Sequence, residues 1–117
     1  MAPGPRSGSC YNGRVSCAGY YGTFKAGSYA MVATWDNSGD AYECFGIATD
    51  RTIWHAWPGS GGWKPMPGNG HADDAYSIYQ DSFRRIVMVA IPNAPRPLWC
   101  QDYTRSTGWT GKWYECP

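Results

Sequence analysis

The sequence is almost without leucine, Leu98 being the only one in 117 residues. Glutamate is nearly as rare, with Glu43 and Glu115 alone. Good helix formers are therefore scarce, while turn formers abound, with Gly 15 and Pro 9. Both facts argue against helices and for short strands joined by tight turns. An excess of charge is also missing, since 10 basic residues face 9 acidic ones. That balance leaves no electrostatic footprint for gripping a phosphate backbone, so no nucleic-acid partner is expected. No apolar run approaches the ~18 residues of a membrane-spanning helix, and no membrane partner is expected either. CxxC pairs are absent, which removes zinc-ribbon and thioredoxin-like readings. There is no GxSxG, HExxH or P-loop motif. Two glutamates also give little material for the facing carboxylates of a glycosidase. The expectation is a non-enzyme with no catalytic residue, metal or cofactor.

What the chain does have is aromatic surface, at 16% of residues, with Trp 7 and Tyr 9. Disordered chains are poor in aromatics, so the chain folds. Its length fits one domain with a thin core, which a covalent staple would help. Five cysteines, Cys10, Cys17, Cys44, Cys100 and Cys116, point to an oxidising compartment and a secreted, extracellular protein. Five is odd, so at least one thiol is free or paired between chains. Met1-Ala2-Pro3-Gly4-Pro5 lacks the charged and then apolar run of a signal peptide, and reads as a mature secreted protein given a new methionine.

Residues 1–25 are rich in Gly, Ser, Pro and Tyr and read as an N-terminal extension, with a hairpin turn at Asn12-Gly13. Residues 26–117 read as one β domain made of two repeats, about 26–70 and 71–117. Asp50-Arg51-Thr52-Ile53-Trp54 lines up with Pro95-Arg96-Pro97-Leu98-Trp99, and Gly62-Trp63 with Gly108-Trp109. A period of ~40–50 residues with recurrent Trp and Gly is a propeller-blade signature. Each repeat divides into four extended segments separated by turn residues. In the first they are Tyr29–Trp35, Tyr42–Ile47, Thr52–Trp57 and Trp63–Met66. In the second they are Ala75–Tyr79, Arg85–Ile91, Leu98–Tyr103 and Trp109–Tyr114. The expected fold is all-β: two four-stranded antiparallel blade-like repeats, stapled by disulfides. Cys100 should bond Cys116 across the last hairpin. Cys44 should pair with Cys10 or Cys17, unless those two bond each other.

Thr52-Ile53-Trp54-His55-Ala56-Trp57 followed by Gly62-Trp63 and Met66-Pro67-Gly68 resembles a blade of tectonin-like and fucose-binding β-propeller lectins. Leu98-Trp99-Cys100-Gln101-Asp102 with Gly108-Trp109-Thr110-Gly111 is similar to the short two-blade bacterial lectins that close a ring by self-association. The resemblance covers about residues 26–115 and implies glycan binding and a possible homo-oligomer. Those lectins carry a sugar-binding glutamate where this chain has Ile53 and Leu98. The setting also resembles that of the adaptor subunits of actinobacterial umbrella toxin particles.

Pyranose rings stack on indole faces, so Trp57, Trp63, Trp109 and Trp113, near strand ends, are candidate ligand contacts, with one or two expected to be exposed. Arg51 and Arg96 recur ahead of the third strand of each repeat and join them as ligand candidates. His55 is expected to hydrogen-bond within its sheet, and His71 to sit in a solvated loop between repeats. A second class of reading is a protein partner, with Arg6 in the extension and Arg14 as anchors. A Cys10–Cys17 bond would display Arg14 on a clamped loop, as small serine-protease inhibitors do. The two readings are thus a glycan-binding module and a protein-binding adaptor of a secreted antibacterial toxin complex, or an inhibitor.

Overall fold

The computed structural model describes residues 14–35 and 42–117, and every regular element among them is a β-strand. Arg6, Cys10 and the Asn12-Gly13 turn lie outside the described residues. Strand β1 (Arg14–Cys17) turns at Ala18-Gly19 into β2 (Tyr20–Thr23), forming a separate antiparallel hairpin. Both turn residues have positive φ, 53° and 86°, which suits the right-handed twist of the flanking strands.

The first sheet is an antiparallel meander in chain order: β3 (Met31–Ala33), β4 (Glu43–Ile47), β5 (Ile53–Ala56) and β6 (Lys64–Pro65). Pro65 can sit in β6 because that strand is an edge, where a missing N–H is tolerated. Beyond it, the Asn69 amide takes the place of a further strand residue, accepting from Ile53 N–H at 2.9 Å and donating to Ile53 C=O at 2.8 Å.

The second sheet starts the same way, with β7 (Asp74–Gln80), β8 (Arg85–Ala90) and β9 (Leu98–Thr104). It ends differently. The single expected strand over Trp109–Tyr114 is two short ones, β10 (Gly108–Trp109) and β11 (Tyr114–Glu115), both paired along β9. Thr110 N–H still bonds its register partner Asp102 C=O at 2.9 Å, and Gly111, at φ 78°, then breaks the run between them. This sheet therefore has five strands where four were expected.

Strand β4 is buried at every residue, as a strand covered on both faces must be. Its odd positions, Phe45 and Ile47, join Met31, Trp35, Ile53, Val87 and Val89 in one core shared by both sheets. Its even positions face the hairpin: Cys44 packs with Cys17 and Ala56, and Gly46 lies against Phe24. A Cβ on Gly46 would stand 3.0 Å from the Phe24 ring, so a side chain there would push the ring away.

Two disulfides staple the layers. Cys17–Cys44 ties the hairpin to the first sheet and Cys100–Cys116 ties β9 to the segment after β11. Of the partners open to Cys44, the structure takes Cys17, so the Cys10–Cys17 ring is not formed. Arg14 consequently lies within β1 opposite Thr23, not on a disulfide-clamped loop. The loops after β6 and β10 meet so closely that a Cβ on Gly68 would stand 1.8 Å from the Gly111 carbonyl oxygen. Gln101, fully buried, bridges the same place, donating to Pro67 C=O at 3.0 Å and accepting from Gly111 N–H at 2.9 Å.

Candidate binding groove

Two hairpin turns lie side by side at one end of the second sheet, because β8 and β9 pair there with Arg85 opposite Tyr103. Between β7 and β8 the chain reverses over Asp81-Ser82-Phe83-Arg84. The Asp81 carboxylate accepts from Phe83 N–H at 2.8 Å and Arg84 N–H at 2.9 Å, while Asp81 N–H donates to Arg84 C=O at 3.0 Å. An aspartate that bonds its own turn pre-forms it. Those backbone bonds, foremost the one from Phe83, hold the Asp81 carboxyl below its ordinary pKa. The turn pushes Phe83 into solvent at 86% exposure, the highest of any large apolar side chain described.

The second turn, between β9 and β10, is built from hydroxyls. Thr104 Oγ1 lies 2.6 Å from Thr107 Oγ1 and 3.3 Å from Ser106 Oγ, and Thr107 N–H donates to Thr104 C=O at 3.2 Å. Between the turns lies a cavity of about 360 Å³ whose walls include Phe83, Arg84, Arg85, Tyr103 and Arg105. That volume is in the range of small-ligand sites, which run from ~300 to ~1,000 Å³.

The charged walls are held in place. Arg84 Nε bonds Asp81 and its Nη1 bonds Asp102, each at 3.2 Å. Asp102 also accepts from the Tyr114 hydroxyl. Burial first, and that hydrogen bond second, push the Tyr114 pKa up to about 12. Arg85 is buried, with its guanidinium 4.9 Å from the Trp35 ring and 4.8 Å from the Tyr103 ring. A desolvated cation on two aromatic faces gains ~2 kcal/mol or more.

Behind this wall a polar knot joins the sheets. Glu43, buried in β4, accepts from Trp35 Nε1 at 3.1 Å and Trp109 Nε1 at 3.2 Å, and lies 2.6 Å from His55 Nδ1. Trp35 follows β3 and His55 lies in β5, while Trp109 lies in β10, so one carboxylate ties the two sheets. Trp109 also packs edge-on against Tyr103, with ring centroids 5.4 Å apart.

Against the expectation of one or two exposed tryptophans, Trp57, Trp63, Trp109 and Trp113 are all partly buried. Among the described residues no tryptophan is exposed, and the exposed large apolar side chains are Tyr21, Tyr42, Tyr76, Tyr79 and Phe83. With one leucine available, the indoles are needed inside. Trp63 packs on Phe24 with ring centroids 4.6 Å apart and donates to Tyr20 C=O at 3.1 Å. Trp57 lies against His55, and Trp109 and Trp113 pack on the shared core. Arg51, at φ 72°, bonds Asp73 at 2.8 Å and braces the loop between β6 and β7. Arg96 pairs with Glu115 at 3.4 Å. Both arginines thus have their guanidinium groups on carboxylates of neighbouring loops and strands. His55 does hydrogen-bond within its sheet, to Glu43, and His71 is exposed in the loop.

The groove residues carried a sequence signal that the motif reading passed over. Asp81-Ser82-Phe83-Arg84 is turn material with an aromatic at its centre, and Thr104-Arg105-Ser106-Thr107 is a hydroxyl-rich turn at the end of the next hairpin. Comparison with protein-family models, curated protein sequences and solved structures gives no match for the chain.

Proposed function

We propose that the protein is a secreted, non-enzymatic binding module that holds a glycan in the groove between the β7–β8 and β9–β10 turns. The observation that carries this reading is the pairing of an exposed flat ring, Phe83, with fixed guanidinium groups and turn hydroxyls around one small cavity. A pyranose offers an apolar face and a rim of hydroxyls, and that combination answers both. The two disulfides in a small β domain are compatible with life outside the cell. The two meanders also suit blade-like repeats: each runs in chain order, and Tyr29 N–H, ahead of β3, bonds the Asp74 carboxylate at the start of β7 at 2.8 Å.

A glycan array with the full chain tests the reading, followed by titration calorimetry on any hit. Phe83→Ala should weaken binding about tenfold, the scale of one interface hot spot, with near-ultraviolet circular dichroism unchanged. Silence across a broad array by folded protein would favour a protein partner instead. One observation supports that second reading: Tyr76 and Tyr79, both exposed, project from β7, an edge strand. Edge strands with apolar side chains invite β-addition, as an adaptor subunit would use.

A further inference from the structure

We infer that the groove takes a neutral sugar unit with unsubstituted hydroxyls, because the hydroxyls of one wall can only accept hydrogen bonds. This deepens the glycan reading and rests on it. The wall is the turn between β9 and β10. Thr107 Oγ1 donates to Gly108 C=O at 2.8 Å, and a hydroxyl has one hydrogen to give. The hydrogen between Thr107 Oγ1 and Thr104 Oγ1, 2.6 Å apart, is therefore the one on Thr104. With that hydrogen spent, Thr104 Oγ1 accepts the one shared with Ser106 Oγ at 3.3 Å, and it also accepts from Thr107 N–H at 3.2 Å. The hydroxyls thus form a one-way chain from Ser106 through Thr104 and Thr107 to a backbone carbonyl. Its direction is fixed by the carbonyl, which cannot donate. Ser106, exposed at the head of the chain and lining the cavity, offers a ligand its oxygen lone pairs.

The opposite wall has the reverse polarity. Arg84, on the turn between β7 and β8, can only donate. Its Nε bonds Asp81 and its Nη1 bonds Asp102. Those two carboxylates meet its charge, so its remaining N–H groups act as donors to a neutral oxygen. Holding it in place beforehand also means that little side-chain entropy is lost when a ligand arrives. A molecule lying across the groove must therefore accept at one turn and donate at the other. A sugar hydroxyl does both. An ether, carboxylate or sulfate oxygen only accepts, and a methyl ether of a sugar has lost the hydrogen that Ser106 requires. Sites built to receive a hydroxyl reject the analogue that lacks its hydrogen, because a polar group of the site is left unpaired. The Phe83 ring beside the cavity takes the apolar face of the same sugar.

Titration calorimetry on the full chain tests this with maltopentaose, cellopentaose, mannopentaose and galactopentaose, each beside its fully O-methylated form. At least one unsubstituted pentaose should bind, and its methylated form should bind at least about tenfold more weakly. Ser106→Ala should weaken the unsubstituted form about fivefold, the scale of one neutral hydrogen bond, and leave the methylated form unchanged. Phe83→Ala should weaken both forms alike, since contact with a ring needs no hydroxyl hydrogen. Thr107→Val frees the hydrogen of Thr104 and lets the chain of hydroxyls reverse, so the gap between the two forms should narrow. Near-ultraviolet circular dichroism should be unchanged in all three variants. Equal binding of the two forms, equal losses of both in Ser106→Ala, or an unchanged gap in Thr107→Val would overturn the accepting wall and leave the glycan reading standing. Silence of all four pentaoses beside binding of other glycans on the array would do the same. Failure of every saccharide to bind folded protein would overturn both readings together.

Discussion

The two sheets begin with the same meander and hold their carboxylates in opposite ways. In the first, Glu43 is inside, clasped by two indole N–H groups and His55 where the sheets meet. In the second, Asp81 and Asp102 stand at the open end of the sheet, fixing Arg84 beside a cavity. Burial turns the first carboxylate into a fastener, because a desolvated charge must keep every partner. Partial exposure leaves the others as braces of a surface turn, where water can still reach them. Where a carboxylate sits in the sheet thus decides whether it fastens the core or shapes the surface.

The sharpest way to break that comparison is to remove one carboxylate from each half. Glu43→Ala should cost about 3–5 kcal/mol of stability, as breaking a buried charged cluster does, whereas Asp102→Ala should cost about 1–2 kcal/mol, for a surface ion pair with Arg84 and the hydrogen bond from Tyr114. Urea unfolding of both variants checks this, and equal losses would erase the distinction between halves. The staples come next. By loop-closure entropy the Cys17–Cys44 bond, at a separation of 27, contributes about 3.5 kcal/mol and the Cys100–Cys116 bond, at 16, about 3 kcal/mol. Paired Cys→Ser variants, compared by thermal unfolding, should rank in that order. The smallest effect is on pH. Tyr114 has its pKa raised to about 12 from an ordinary 10, so above pH ~10 the unfolded chain releases this proton before the folded one does. Stability should therefore be insensitive to this group below pH ~10 and fall between about 10 and 12. Urea titrations across that window should show a flatter fall in Tyr114→Phe.

Most of the architecture was legible in the sequence because strand and turn signals are local. The run Ile86-Val87-Met88-Val89-Ala90, between turn residues, could only be a buried strand, and it is β8. All eight expected segments contain strands, within a residue or two. The eighth divided because Gly111 enters a left-handed conformation, and no pattern of apolar residues reports that. Legibility failed where it depended on how layers meet. An indole is equally suited to a core and to a sugar, and only the packing shows Trp63 and Trp109 to be partly buried, each against a core cluster. Glu43 gave no hint of its role, since its partners Trp35 and Trp109 are far apart in the chain. The groove is likewise a product of two turns, each ordinary alone, that pairing of β8 with β9 sets beside each other.

The seam at Gly68 makes the loops after β6 and β10 an unequal pair: Gly68 yields the space and Gly111 offers the carbonyl that fills it. A methyl group at Gly68 would have to displace backbone and not a flexible side chain, so the distance between the two loops is set by main chain alone. The loops meet at a hydrogen atom, and no larger residue can be written there without moving one loop away from the other.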